Sequence, residues 1–201
     1  LFLILFLQPF KFHLCVLCAL CGKKVKPLDL STEKEMIMGT AKKILAAIGF
    51  NRYTQDLLSY ALEIAESMNA ELIIANIINA RDVEAVATIA AMGYDVDSGK
   101  YVAVIKAERQ QELDEILKNI GRKPGKIRTL FKTGDPGDEL LKIAVKENVD
   151  LIVMGIKGRT DLEYIFVGSV AEKVFRRSPI PVLSFRDEVN AERLRKHIDL
   201  S

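Results

Sequence analysis

Residues 150–185 read DLIVMGIKGRTDLEYIFVGSVAEKVFRRSPIPVLSF, and this stretch decides the fold. It opens on a short apolar run, Leu151 to Met154, of the length and composition of a buried strand. Gly155 and Gly158 follow, then a nine-residue gap, then Gly168 and Ser169. A helical pattern comes next, with Val170, Val174 and Phe175 on one face. Pro179 stops it, and a second apolar run, from Pro181 to Phe185, closes the unit. Strand, glycine-rich loop, helix and strand make a βαβ unit with its glycines in the first βα loop. In open α/β sheets that loop lies at the carboxyl edge, where ligands bind.

The glycine spacing has a physical reading. Gly155 and Gly158 let the backbone turn sharply and approach a ligand without a Cβ in the way. Gly168 and Ser169 stand at the start of the next helix, whose free N–H groups and positive dipole end suit an anion. The Ser169 hydroxyl adds a donor for a phosphate oxygen. A loop that needs unusual backbone angles and binds nothing satisfies the same glycines, so both readings stand.

Outward from this unit, composition sets the class. The 201 residues are 49% apolar and 28% charged, which fits a globular domain with a sizeable core plus an extension. The net charge of +2 points neither toward nor away from nucleic acid, and no basic run interleaved with aromatics supports a nucleic-acid platform. The glycine pattern occurs once, so this chain is not a tandem pair of such units.

Residues 1–38 read as an apolar N-terminal extension. From Leu1 to Cys21 the only formally charged residue is Lys11. Three readings compete. About 20 apolar residues span a bilayer, but Pro9, Lys11 and His13 make a poor anchor; the basic residues up to Lys26 would favour a cytoplasmic domain after it. A secretory signal lacks its basic start and its cleavage site. The preferred reading is a translation start drawn too early, with Met36 and Met38 just ahead of the domain. All three cysteines, Cys15, Cys18 and Cys21, lie here. Their spacing matches part of an iron–sulfur run, but the ligand set is incomplete even with His13. Without cysteines beyond Cys21, the domain has no disulfide framework, as expected in the cytosol.

Within the domain, set at residues 39–186, 42–49 read as the first strand, continuous and apolar as in a sheet buried on both faces. Asn51 follows as a polar contact or, preferably, a turn or helix-cap residue. Residues 53–69 form a helix with Leu57, Leu58, Ala61, Leu62, Ile64, Ala65 and Met68 on its core face. The second strand is 71–79. Residues 83–92 have weak helical periodicity and 93–99 are turn-rich; Asp95, Asp97 and Gly99 are an incomplete calcium pattern. A long helix over 101–120 places Glu108, Arg109, Glu112, Asp114 and Glu115 on a solvated face. The third strand is 126–132. Asp135 then caps a helix with Pro136 at its first position and Asp138 and Glu139 in its first turn. Leu140, Leu141, Ile143, Ala144 and Val145 form its core side. Residues 187–201 read as a charged tail or short helix. Alternating strands and helices predict an α/β doubly wound parallel sheet of five strands, a Rossmann-like three-layer sandwich.

The segments KKILAAIGF, AELIIANII, GDPGDELLKIAVKENVDLIVMG, GIKGRTDLEYIFVGS and PIPVLSF, in this order, resemble the universal stress protein family. The G-x2-G-x9-G-S signature is similar to that of its nucleotide-binding branch. The resemblance covers roughly residues 40–186. It implies strand order 3-2-1-4-5, with ATP or another adenine nucleotide in the crevice between strands 1 and 4 and Mg²⁺ or Mn²⁺ accompanying the phosphates. The implied contacts are Ala47, Gly49, Ile77, Met154, Gly155, Lys157, Gly158, Arg159, Gly168, Ser169 and Val170. Where the family usually carries an Asp that helps hold the nucleotide, this chain has Gly49. The resemblance also implies a homodimer through the strand from Pro181 to Phe185, whose apolar edge would otherwise invite uncontrolled pairing.

Three functions remain open. The first is a cytoplasmic nucleotide-binding regulatory protein of the stress response, acting through its dimer or a protein partner. The second is an enzyme, a slow ATPase or nucleotidyl-transfer relative. No Walker loop, no S-G-G-x-D-S loop and no general base beside the glycines supports it; His13 and His197 lie outside the domain. The third is a nucleotide-free interaction module. Lys157 and Arg159 are candidate phosphate partners, and Asp161 and Glu163 would repel phosphate unless they hold a divalent ion.

Overall fold

The computed structural model describes residues 41–121, 126–156, 167–196 and 198. The N-terminal extension with its cysteines, and Lys157, Gly158, Arg159, Asp161, Glu163 and His197, lie outside the described residues. The elements are β1 (Lys43–Ala47), α1 (Thr54–Met68), β2 (Glu71–Asn79), α2 (Ala80–Ala91), α3 (Ser98–Ile120), β3 (Ile127–Gly134), α4 (Pro136–Lys146), β4 (Leu151–Gly155), α5 (Ser169–Arg177), β5 (Val182–Phe185) and α6 (Glu188–Arg195). All strand pairs are parallel and the order is β3-β2-β1-β4-β5, as expected.

The continuous apolar strands make sense once each face has its own helices. Alternate residues of a strand point to opposite faces. Ile44, Ala46, Leu72, Ile74 and Val153 join Leu57, Leu58 and Leu62 of α1 and Leu113 of α3 in one core. Leu45, Ile73, Ala75, Ile152 and Met154 join Leu140 and Ile143 of α4 and Ala171 and Val174 of α5 in the other. Both faces are dry, so alternation of apolar and polar residues is absent from the sequence. At the amino edge the Asp150 carboxylate accepts from the backbone N–H groups of Lys42 and Lys43, at 2.7 and 2.9 Å, which fixes β4 against the start of β1.

Several expectations need correction. Residues 80–91 form a full helix, started by the Asn79 side chain, which accepts from the Arg81 N–H. The long helix begins at Ser98, because Asp97 caps it by accepting from the Lys100 N–H at 2.6 Å; that carboxylate is a cap, not part of a calcium loop. Val145 is 57% exposed, one residue round the helix from the buried Ile143–Ala144 pair. Phe175 is likewise exposed beside buried Val174. Arg109 is not on a solvated face: it is only 8% exposed, and its partners belong to the candidate site. Among the described residues no helix is long and apolar enough to cross a membrane.

Candidate functional site

The order β3-β2-β1-β4-β5 reverses direction between β1 and β4, so a crevice opens at their carboxyl ends. Ala47 and Met154 are register partners at this switch point. Gly49 follows β1. Its φ lies outside the left-handed region, and a Cβ built on it would meet only Asn51 Nδ2, at 3.7 Å. The position therefore has room for a side chain. Asn51 serves the turn before α1 and is not its cap, which is Tyr53: the Asn51 Oδ1 accepts from the Tyr53 N–H at 3.0 Å, and its own N–H donates to Thr54 Oγ1 at 2.9 Å.

Strand β2 runs past the end of β1. The Ala75 carbonyl accepts from the Ile48 N–H at 3.0 Å, and successive residues of β2 address alternate neighbours. Ile77, two residues on, therefore turns its N–H and C=O toward the side where β1 has ended. Its side chain is buried in the core.

Gly155 ends β4 in register with Phe185 of β5. The Gly168 N–H donates to the Ile156 carbonyl at 2.8 Å, drawing the two ends of the glycine segment together at the sheet edge. Gly168 is the N-cap of α5 and has no side chain to cap it, and among the described residues no other side chain is seen to do so. The first N–H groups of α5, at Ser169 and Val170, are thus left for solvent or a ligand, at the positive end of the helix dipole. Ser169 is exposed there. The structure brings Ala47, Gly49, Ile77, Met154, Gly155, Gly168, Ser169 and Val170 to one edge.

The cations of α5 are committed elsewhere. Lys173 Nζ lies 2.8 Å from both Asp135 and Asp138, Arg177 lies 2.9 Å from Asp138, and Arg176 pairs with Glu172. The helices α4 and α5 approach closely here: a Cβ on Gly137 would stand 2.6 Å from Lys173 Cδ. The hydrogen bond from Lys173, and then the Asp138 N–H, holds the Asp135 carboxyl below its usual range, and Asp135 in turn raises Lys173. Asp135 is a cap and ion-pair partner, which accounts for it without catalysis.

A pH prediction follows from that depression. The stability Asp135 contributes is complete above the ordinary carboxylate value of about 4 and is lost as pH falls through its lower folded value. The carboxylate is half exposed, so the amount is small, about 0.5 kcal/mol. Asp135→Asn, which keeps the cap, is expected to lose that amount at pH 7 and to show a shallower loss of thermal stability between pH 4 and pH 2, measured by calorimetry.

Sequence reasoning missed one part of this edge. Asn76 is 3% exposed within β2. Its Nδ2 donates to the Ile48 carbonyl at 2.8 Å, and its Oδ1 accepts from Arg109 Nη1 at 2.6 Å. The Arg109 guanidinium also lies 5.9 Å from the centre of the Phe50 ring. Phe50 is held at a φ of 50°. The chain from α3 through Asn76 to Ile48 fixes where the backbone leaves β1 for the crevice.

Comparison with known proteins agrees with this architecture. The family model for the universal stress protein family matches residues 40–186. Universal stress protein MJ0531 of Methanocaldococcus jannaschii is 32% identical over 143 residues, 71% of this chain and 80% of that protein. Universal stress protein YxiE of Bacillus subtilis is 31% identical over 149 residues, 72% of this chain and 98% of that protein. The solved structure of MJ0577, also from M. jannaschii, superposes with a TM-score of 0.62 at 27% identity, covering 74% of this chain and 98% of that one.

Proposed function

The chain belongs to the universal stress protein family, and from that premise we propose that it is an adenine-nucleotide-binding regulatory protein of the stress response, with ATP as the ligand. The observation that carries the proposal is the Gly168 N–H to Ile156 carbonyl bond, which draws the end of β4 and the start of α5 together at the switch point. Phosphates would take the free N–H groups of α5, the Ser169 hydroxyl and the segment that carries Lys157, Gly158 and Arg159. The adenosine half would lie over Ala47, Gly49 and Met154, with the backbone of Ile77 offering a donor and an acceptor to the base.

Mg²⁺ or Mn²⁺ would come with the phosphates. Among the described residues no group of three His, Cys, Asp or Glu side chains stands ready to hold a metal ion, and Asp161 and Glu163 lie outside them. Nucleotide occupancy would act through a homodimer formed along β5 or through a protein partner, in the cytoplasm. In support, β5 is an edge strand with β4 as its neighbour.

The test is direct. Purified protein is heat-denatured and the supernatant chromatographed for nucleotide; stripped protein is then titrated calorimetrically with ATP and Mg²⁺. Bound or titrating adenine nucleotide is the expected result. No carried nucleotide and no binding at millimolar ATP would overturn the reading.

Gly49→Asp is expected to strengthen binding. A Cβ at this position stands in ordinary van der Waals contact with Asn51 Nδ2 at 3.7 Å, and a hydrogen bond from a ligand to a charged group contributes about 1.5–3 kcal/mol. Affinity for ATP and for adenosine should rise together, by roughly tenfold or more. Inorganic triphosphate should bind as before, because the change touches only the nucleoside half.

A further inference from the structure

We propose that Arg186 is a phosphate-binding residue, one that gives the crevice its preference for a polyphosphate over a monophosphate. The inference rests on the nucleotide reading and adds to it a residue from β5, outside the glycine signature. Three observations place Arg186. First, β4 and β5 are parallel with Gly155 opposite Phe185. Ile156 follows Gly155 and Arg186 follows Phe185, so the two residues leave the ends of paired neighbouring strands. Ile156 is the residue whose carbonyl holds Gly168 at the start of α5.

Second, the pleat fixes the face. Leu183 and Phe185 pack into the core under α1 and α3, whereas Val182 packs into the core under α4 and α5. Residues 182 and 184 share one side of β5, and continuing that alternation one residue past the end of the strand would put Arg186 on the face that carries α5. Third, Arg186 is exposed and has no hydrogen bond or ion pair among the described residues, in contrast to Lys173, Arg176 and Arg177 on the adjacent helix. Its position is set on both sides. The strand ends at Phe185, and the Asp187 carbonyl accepts from the Ala191 N–H at 2.9 Å as α6 begins.

The chemistry then divides by distance from the helix. The N–H groups of α5 address the phosphate that lies against them. A guanidinium one strand further out addresses the next phosphate, where its planar fork matches two oxygens. Adenosine and AMP present nothing to it.

Wild type, Arg186→Gln and Arg186→Lys are titrated with ATP, AMP and adenosine at two salt concentrations. Arg186→Gln is expected to weaken ATP about tenfold, to leave AMP and adenosine within about twofold, and to flatten the salt dependence of ATP binding. Arg186→Lys should recover part of the ATP affinity, since it restores the charge without the fork. An unchanged ATP-to-AMP ratio in Arg186→Gln would overturn the assignment while leaving the nucleotide reading intact. A wild-type chain that binds no adenine nucleotide would overturn both. Because Arg186 is exposed, the melting temperatures of the variants should match wild type.

Discussion

A chain carrying Gly155→Val and Gly168→Val is expected to fold as wild type does and to lose ATP binding by about 100-fold or more. The two halves of this expectation have separate grounds. Folding survives because neither glycine is used for its conformational freedom. Gly155 is the last residue of an extended strand, and Gly168 sits at φ −60° and ψ 145°, angles that valine adopts readily. Binding fails because the added methyl groups stand between a phosphate and the backbone donors at the start of α5. Losing two hydrogen bonds to a charged group, each about 1.5–3 kcal/mol, removes about two decades of affinity or more. Far-UV circular dichroism and melting temperature check the first half, and calorimetric titration the second. If the folded double variant bound ATP like wild type, these glycines would be needed for neither folding nor binding, and the ligand reading of the loop would fall.

What made this site legible in sequence was local. Leu151–Met154 is too short and too apolar for anything but a buried strand in this context. The glycines follow it at once, and Asp135–Pro136 announces its helix by capping chemistry that the structure repeats. The crevice depends on strand order, which no local pattern encodes; it came through the family resemblance. The Asn76–Arg109 pair is hidden in the sequence, because Arg109 sits in a run of charges that reads as a solvated face. A better signal existed. Arg109 continues the stripe of Leu113, Ile116, Leu117 and Ile120 by one helical step, and those residues pack on the core. A charged residue on an apolar stripe needs a buried partner. Asn76, a polar residue inside the Leu72–Ile78 run, is the matching anomaly, 33 residues away. Only the packing of α3 on the sheet joins the two.

That pair carries the largest expected effect on stability, and the effect is asymmetric. Asn76→Leu removes the acceptor from a buried guanidinium and the donor from the Ile48 carbonyl, leaving a charge 92% enclosed without its hydrogen bond. The cost should be about 3 kcal/mol or more, the range for stranding a buried charged group. In a domain of this size that lowers the melting temperature by roughly 6–12 °C. Arg109→Met removes the charge along with the bond and fills much of the same volume. It leaves only the neutral Asn76 Oδ1 without a partner and should cost about 1–2 kcal/mol. The double variant strands no charge, so it should be no less stable than Asn76→Leu alone, and the double-mutant cycle should show a coupling of about 1 kcal/mol or more. Denaturant titration of the four proteins measures this. Strict additivity would mean that Arg109 draws its compensation from elsewhere. With coupling present, nucleotide titration of Arg109→Met then separates scaffold from site. On the proposed nucleotide reading the Ile48 carbonyl and the Phe50 turn would wall the nucleoside side, so ATP and adenosine should weaken by the same factor. The proposed phosphate end, at α5 on the opposite face of the sheet, should be indifferent to the change.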